Sequence, residues 1–252
     1  SASEGQVIGE VIVRGNPTLR HLRGLSEVSG LRLQSLIIED NPALNDVLDL
    51  PPIVAGGRVR IDGNESVTTI VGPEAARGTH LAAIEITNNT SLVSISGFAG
   101  VTDVDVFTVT HNVALERITG PALRRTGALS IDGGAGLDDV GFLSGLQVAT
   151  ALSLQHLPRL ARLPDMPELS QIGSLTLLNC ASLSNIDGLL ARRSAPAVLG
   201  SANIQNNSVL RAAHVDDLFE RLHTTRDPGA LVNIHNAPGP AAPVPVLPEG
   251  DL

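Results

Sequence analysis

The chain has 252 residues, 42% of them apolar, with a formal net charge of −9 and an isoelectric point near 5.2. All 17 basic residues are Arg, and four Phe stand without any Trp or Tyr. An acidic chain with only four aromatic side chains to stack on bases argues against nucleic-acid binding. There is no 18-residue apolar run to insert in a membrane, and the lone Cys180 excludes an internal disulfide or a zinc site built on several thiolates.

Ser1–Gln6 reads as a frayed lead-in to a short phrase that recurs nine times: apolar-x-apolar-x-turn-Asn-x-x-Leu-x-x-apolar. The first copy runs from Val11 and Val13 through Gly15, Asn16 and Leu19 to Leu22, and the second from Leu36 and Ile38 through Asp40, Asn41 and Leu44 to Val47. Aligned on the Asn, the series is Asn16, Asn41, Asn64, Asn89, Asn112, Gly134, Leu157, Cys180 and Asn207, with steps of 22 to 27 residues. A fixed period in this range predicts a solenoid, mainly β or α/β, of about 9–10 coils of about 23 residues sharing one parallel sheet. At about 4.8 Å per coil it would be roughly 45 Å long.

Each column of the repeat has a physical reading. Apolar residues five and three positions before the Asn, such as Val59 and Ile61 or Leu129 and Ile131, have the two-residue period of a short strand facing a core. The position before the Asn holds only Gly, Asp, Asn or His, the types that tolerate a left-handed backbone, so a left-handed turn should end every strand. The Asn column, with Cys180 taking one place, reads as a buried ladder whose amides bond backbone groups at the turn. Gly or Pro eight or nine positions later, as at Gly72-Pro73, Gly97 and Gly188, marks a second corner. That leaves room only for short strands, turns or single helical turns on the other sides.

Toward the end the period changes. Val215, Leu218, Phe219 and Leu222 have helical spacing, which predicts a helix over about 213–223 capping the last coil. Leu231–Ile234 reads as a closing strand. Residues 1–237 thus form one solenoid, and the Pro-rich 238–252 an extended linker or tail.

The φ-x-φ-x-x-N-x-x-L-x-x-φ frame resembles that of the leucine-rich-repeat superfamily. The phrases LIIEDNPALNDV, IEITNNTSLVSISGF and LTLLNCASLSNIDGL are most similar to the receptor L-domains of the insulin and epidermal growth factor receptor families. The resemblance covers residues 9–215. It implies a right-handed, extracellular or cell-surface solenoid that binds a protein or other ligand.

Several residues invite chemistry and are better read as frame. Gly133 to Gly141 matches a calcium-binding nonapeptide, but as one copy in register with its coil, whereas such sites need consecutive copies. Cys180 as a nucleophile competes with its place in a core column. The acidic pairs Asp138/Asp139 and Asp216/Asp217, and the near pair Asp103/Asp105, suggest a polysaccharide-active β-helix enzyme. That chemistry would lack the usual aromatic platforms here, and solvated turn residues are the simpler reading. The sequons at Asn88 and Asn206 fall on turns, where a secretory host would be able to glycosylate them. A Thr/Ser strip on the middle strands is too irregular for an ice-binding grid. No catalytic residue, metal site or cofactor is assigned.

What remains is the outward face of the sheet. Its richest portion is Ile12, Arg14, Ile37, Glu39, Arg60 and Glu85, which combines exposed apolar residues with Arg. The expectation is a non-enzymatic recognition module binding a protein or other ligand there. The alternative is a structural spacer or stalk, and the polysaccharide-active enzyme ranks below both.

Overall fold

The computed structural model describes residues 7–22, 25, 31–191, 198–211, 213–218 and 231–235. The expected frayed start, the 219–223 part of the helix and the Pro-rich tail lie outside the described residues. Strands are numbered in chain order. Ten form one sheet: β1 (Val7–Arg14), β2 (Arg32–Glu39), β4 (Ile53–Asp62), β6 (Thr79–Thr87), β8 (Val101–Thr110), β10 (Arg125–Asp132), β11 (Val148–Gln155), β12 (Gln171–Leu178), β13 (Val198–Gln205) and β14 (Leu231–His235). Neighbours in the sheet are neighbours along the coil, all pairs are parallel, and the closing strand expected at Leu231–Ile234 is β14. The chain is a β-solenoid with a repeat of about 23 residues.

Register follows the sequence columns. One unbroken row runs across the sheet from Ile12 through Ile37, Arg60, Glu85 and Thr108 to Asn233. The two inward columns pack into a single, mainly aliphatic core, with Leu36, Ile38, Val59, Ile61, Leu152 and Leu154 all buried. Removing one such side chain from water contributes about 1.5–3 kcal/mol, which is what drives coil to stack on coil.

The turn column behaves as its residue types require. Asp40, Asn88, His111, His156, Asn179 and Asn206 have φ between 52° and 59°, and Gly15, Gly63 and Gly133 are also positive. Beside it the ladder is built by repetition of one geometry. The Asn64 Oδ1 accepts the Asn41 backbone N–H at 3.1 Å and one Asn41 amide hydrogen at 3.1 Å, while the Asn64 Nδ2 donates to the Ile38 and Asp62 carbonyls. Asn89 serves Asn64 in the same way, and Asn112 serves Asn89. The run from Asn16 to Asn112 stops where Gly134 and Leu157 bring no amide. A second pair then forms, the Cys180 N–H donating to the Asn207 Oδ1 at 3.0 Å.

Three features lie outside the column reading. First, a four-stranded second sheet joins β3 (Asp46–Val47), β5 (Thr69–Gly72), β7 (Ser94–Gly97) and β9 (Arg117–Ile118) on another side of the coil. Second, a third core column sits eight positions before the Asn: Leu33, Leu81, Val104, Thr126, Ala149 and Ile172 are all buried. Strict alternation cannot turn positions eight and five to the same side, so the strands bend between them, where the pairing skips one residue per strand. Third, the helix expected over about 213–223 is present as α1 (213–218 among the described residues), a single short helix. It buries Val215 and Leu218, and the His214 Nδ1 sits 2.6 Å from the Asp187 Oδ1 of the preceding coil. None of the described helices is long and apolar enough to cross a membrane.

Candidate binding face

Parallel register converts residues 23–25 apart in sequence into side-by-side neighbours. It places Ile12 beside Ile37, Ile37 beside Arg60 and Arg60 beside Glu85 in one row, with Arg14 beside Glu39 in the next. All six candidate residues therefore form one contiguous patch over β1, β2, β4 and β6. Ile12 is 53% exposed, and Ile37 is half-buried beside it.

Three of the four charged members, Arg14, Glu39 and Arg60, are locked together. The Arg14 Nε donates to the Glu39 Oε2 at 2.7 Å, and its guanidinium NH2 reaches the same oxygen. On the other side the Arg60 Nε lies 2.6 Å from the Glu39 Oε1, an ion pair whose angle is not that of a hydrogen bond. Arg60 also donates to the Asp62 Oδ2 at 3.0 Å, and Asp62 accepts from the Thr87 hydroxyl at 2.7 Å and the Asn88 amide at 2.8 Å. Hydrogen bonding to Asp62, with the Glu39 charge behind it, raises the Arg60 pKa further. Burial pushes the Asp62 pKa up, but the bonds from Thr87, Asn88 and Arg60 outweigh it and hold the carboxyl below its ordinary value. Its folded pKa being the lower one, Asp62 adds stability above the unfolded carboxylate pKa and loses it as pH falls through the folded value.

Glu39 departs from the sequence expectation. It points to the outward face, yet it is only 6% exposed because the two guanidiniums cover it. A silent Glu39→Ala, the expectation for an exposed side chain, is therefore replaced by a cost of about 1 kcal/mol in urea unfolding. Two charge-assisted contacts are lost, while both Arg side chains remain open enough to rehydrate.

The rest of the face is small and polar, and much of it is bonded within itself. Gln155 donates to the Ser153 hydroxyl at 2.8 Å and Gln205 to the Asn203 Oδ1 at 2.7 Å. Along the neighbouring turns Asp132, His156, Asn179 and Asn206 are linked in series, at 2.7, 3.0 and 2.9 Å. Asp62, Thr87 and Asn88 anchor the candidate patch without having been singled out for it. Their signal was available in the register, because Asp62 follows Glu39 in the same outward column.

The residues that invited chemistry sit in the frame. In the calcium-like nonapeptide, Gly133 is a turn at φ 83°, Gly134 is a ladder position, and Leu137 and Val140 are in the core. The Cys180 thiol is fully buried, donates to the Leu178 carbonyl at 3.5 Å, and has its pKa raised by burial from 9.0 to about 11. A shift of two units lowers the thiolate fraction about 100-fold at neutral pH. Alkylation of the native protein should therefore be at least about 100-fold slower than in denaturant, read by mass spectrometry over time.

No family model matches the chain, and neither a curated protein nor a solved structure is significantly similar to it.

Proposed function

We propose that the chain is a non-enzymatic recognition module, related to leucine-rich repeats of the receptor L-domain type, that acts outside the cell or at its surface. It binds a protein through the N-terminal part of its sheet face. The observation that carries this reading is the contiguity of the patch: exposed Ile12 and half-buried Ile37 lie beside a fixed Arg14–Glu39–Arg60 cluster. Apolar anchors next to oriented guanidiniums are the make-up of protein-binding surfaces. Side chains already held in place lose less freedom on binding. The extracellular placement rests on the resemblance of the repeat phrases to receptor L-domains.

The second reading, a spacer or stalk, is favoured by the small, self-bonded polar face from Thr108 to Gln155. A photo-crosslinking residue placed singly at Ile37, Glu85, Ser153 or Asn203 separates the two on intact cells of the source organism. Recognition requires one protein captured from positions 37 and 85 and not from 153 or 203. Capture by none of them, or by all four alike, contradicts it.

A further inference from the structure

Strand β1 ends the ten-stranded sheet, and among the described residues no strand pairs with its outer edge. The Gly15 N–H donates to the Glu39 carbonyl and the Val13 carbonyl accepts from the Asn41 side-chain amide, so the backbone groups of alternate residues 13 and 15 face β2. Those of Glu10, Ile12 and Arg14 consequently face the edge away from β2, where the Arg14 carbonyl already accepts one bond from the Asn16 side-chain amide and keeps its second lone pair. An edge that no described strand covers, with an exposed Ile at its centre, is a template for another strand.

We infer that β1 pairs antiparallel with β1 of a second copy of this chain, about a two-fold axis through Ile12. The order of side chains along the strand is self-complementary in that register and carries the assignment. Ile12 meets Ile12 of the other copy, Val11 meets Val13, and Glu10 meets Arg14 on both sides of the axis. Glu10, Ile12 and Arg14 share the outward face, and all three are exposed; Glu10 accepts from the Ser35 hydroxyl and Arg14 is held by Glu39, so the pairing across the axis adds to these contacts. Opposite charges directly across an antiparallel pair attract, and like charges repel. The central Ile12 pair falls at a position where both copies present N–H and C=O to one another, as a hydrogen-bonded antiparallel pair requires. Val11 and Val13, half-buried at the end of the core, would extend that core across the junction. A two-fold interface closes on itself, so pairing stops at a dimer. It continues the sheet without inverting it, setting two Arg14–Glu39–Arg60 clusters on one surface.

The test is sedimentation velocity of the purified protein from about 1 to 200 µM, a range that spans weak two-fold association. The parent protein should show a concentration-dependent monomer–dimer equilibrium. Glu10→Arg alone places Arg against Arg, and Arg14→Glu alone places Glu against Glu, so each should weaken dimerisation at least tenfold. An equimolar mixture restores both opposite-charge pairs and should recover a heterodimer of near-parent affinity. A misfolded variant cannot produce that rescue. Ile12→Lys, which alters neither charge partner, should also leave monomer. A parent protein that is monomeric throughout, single variants that dimerise like the parent, or a mixture without recovery each overturn the proposal. Its outcome is read without any partner protein, so it stands or falls apart from crosslinking at Ile37.

Discussion

Asn64→Ala should lower the free energy of unfolding by about 3 kcal/mol, measured by urea denaturation with the slope unchanged. The side chain is fully buried, and its Oδ1 is the acceptor for the backbone N–H of Asn41, itself buried. Truncation leaves that N–H without this partner and away from water, at about 1–3 kcal/mol. It also removes the amide bonds to the Ile38 carbonyl and the Asn89 Oδ1, together with the bond received from the Asn41 amide. The loss is uneven along the chain. Asn16→Ala should cost less, because Asn16 is exposed at the end of the ladder and no earlier rung among the described residues depends on it.

Gly97→Ala should be at least as damaging, about 3 kcal/mol or more, and should appear as a large fall in the thermal midpoint. Two independent costs meet at this residue. Its φ of 87° disfavours any L side chain, and an added Cβ would lie against the Gly72 carbonyl oxygen and 2.7 Å from the Gly72 nitrogen. Gly72 cannot retreat freely, because the buried Phe98 ring packs where a side chain of its own would be. Gly78 supplies the comparison: its φ is 83°, but nothing lies within 4 Å of an added Cβ. Gly78→Ala should thus show only the backbone strain, about 1 kcal/mol.

The repeat made the coil legible because each column answers to one strong local requirement. A left-handed turn admits few residue types, so Asp40, His111 and Gly133 could be equated despite their different chemistry, and all three have positive φ. The core column containing Leu33, Leu81 and Ile172 escaped because it breaks alternation at the strand bend, which a period-two pattern cannot register. Short strands were expected on the other sides of the coil, but their pairing into a second sheet escaped, because strands as short as Asp46–Val47 and Arg117–Ile118 carry no pattern of their own.

The candidate site was legible to the same depth and no further. Parity along each strand assigned Glu39 to the outward face. Its burial depends on Arg14 and Arg60, 25 residues before and 21 after, and emerges only when coils are stacked in register. Column reading says which way a side chain points, and neighbours on the adjacent coils decide whether water reaches it. No column encodes a ligand, since residues that hold the frame repeat and residues that bind a partner need not.

The central claim is that a one-residue register separates frame from surface, and the consecutive pair Asn88 and Asn89 tests it most directly. Asn88 is an exposed turn residue at φ 55° whose amide bonds Asp62, while Asn89 is a fully buried rung bonded to the Ile61 and Thr87 carbonyls. Equilibrium urea unfolding of Asn88→Gly, which keeps the left-handed turn accessible, should differ from the parent by less than about 1 kcal/mol. Asn89→Ala should cost about 3 kcal/mol. Equal losses, or the larger loss at Asn88, would contradict the account.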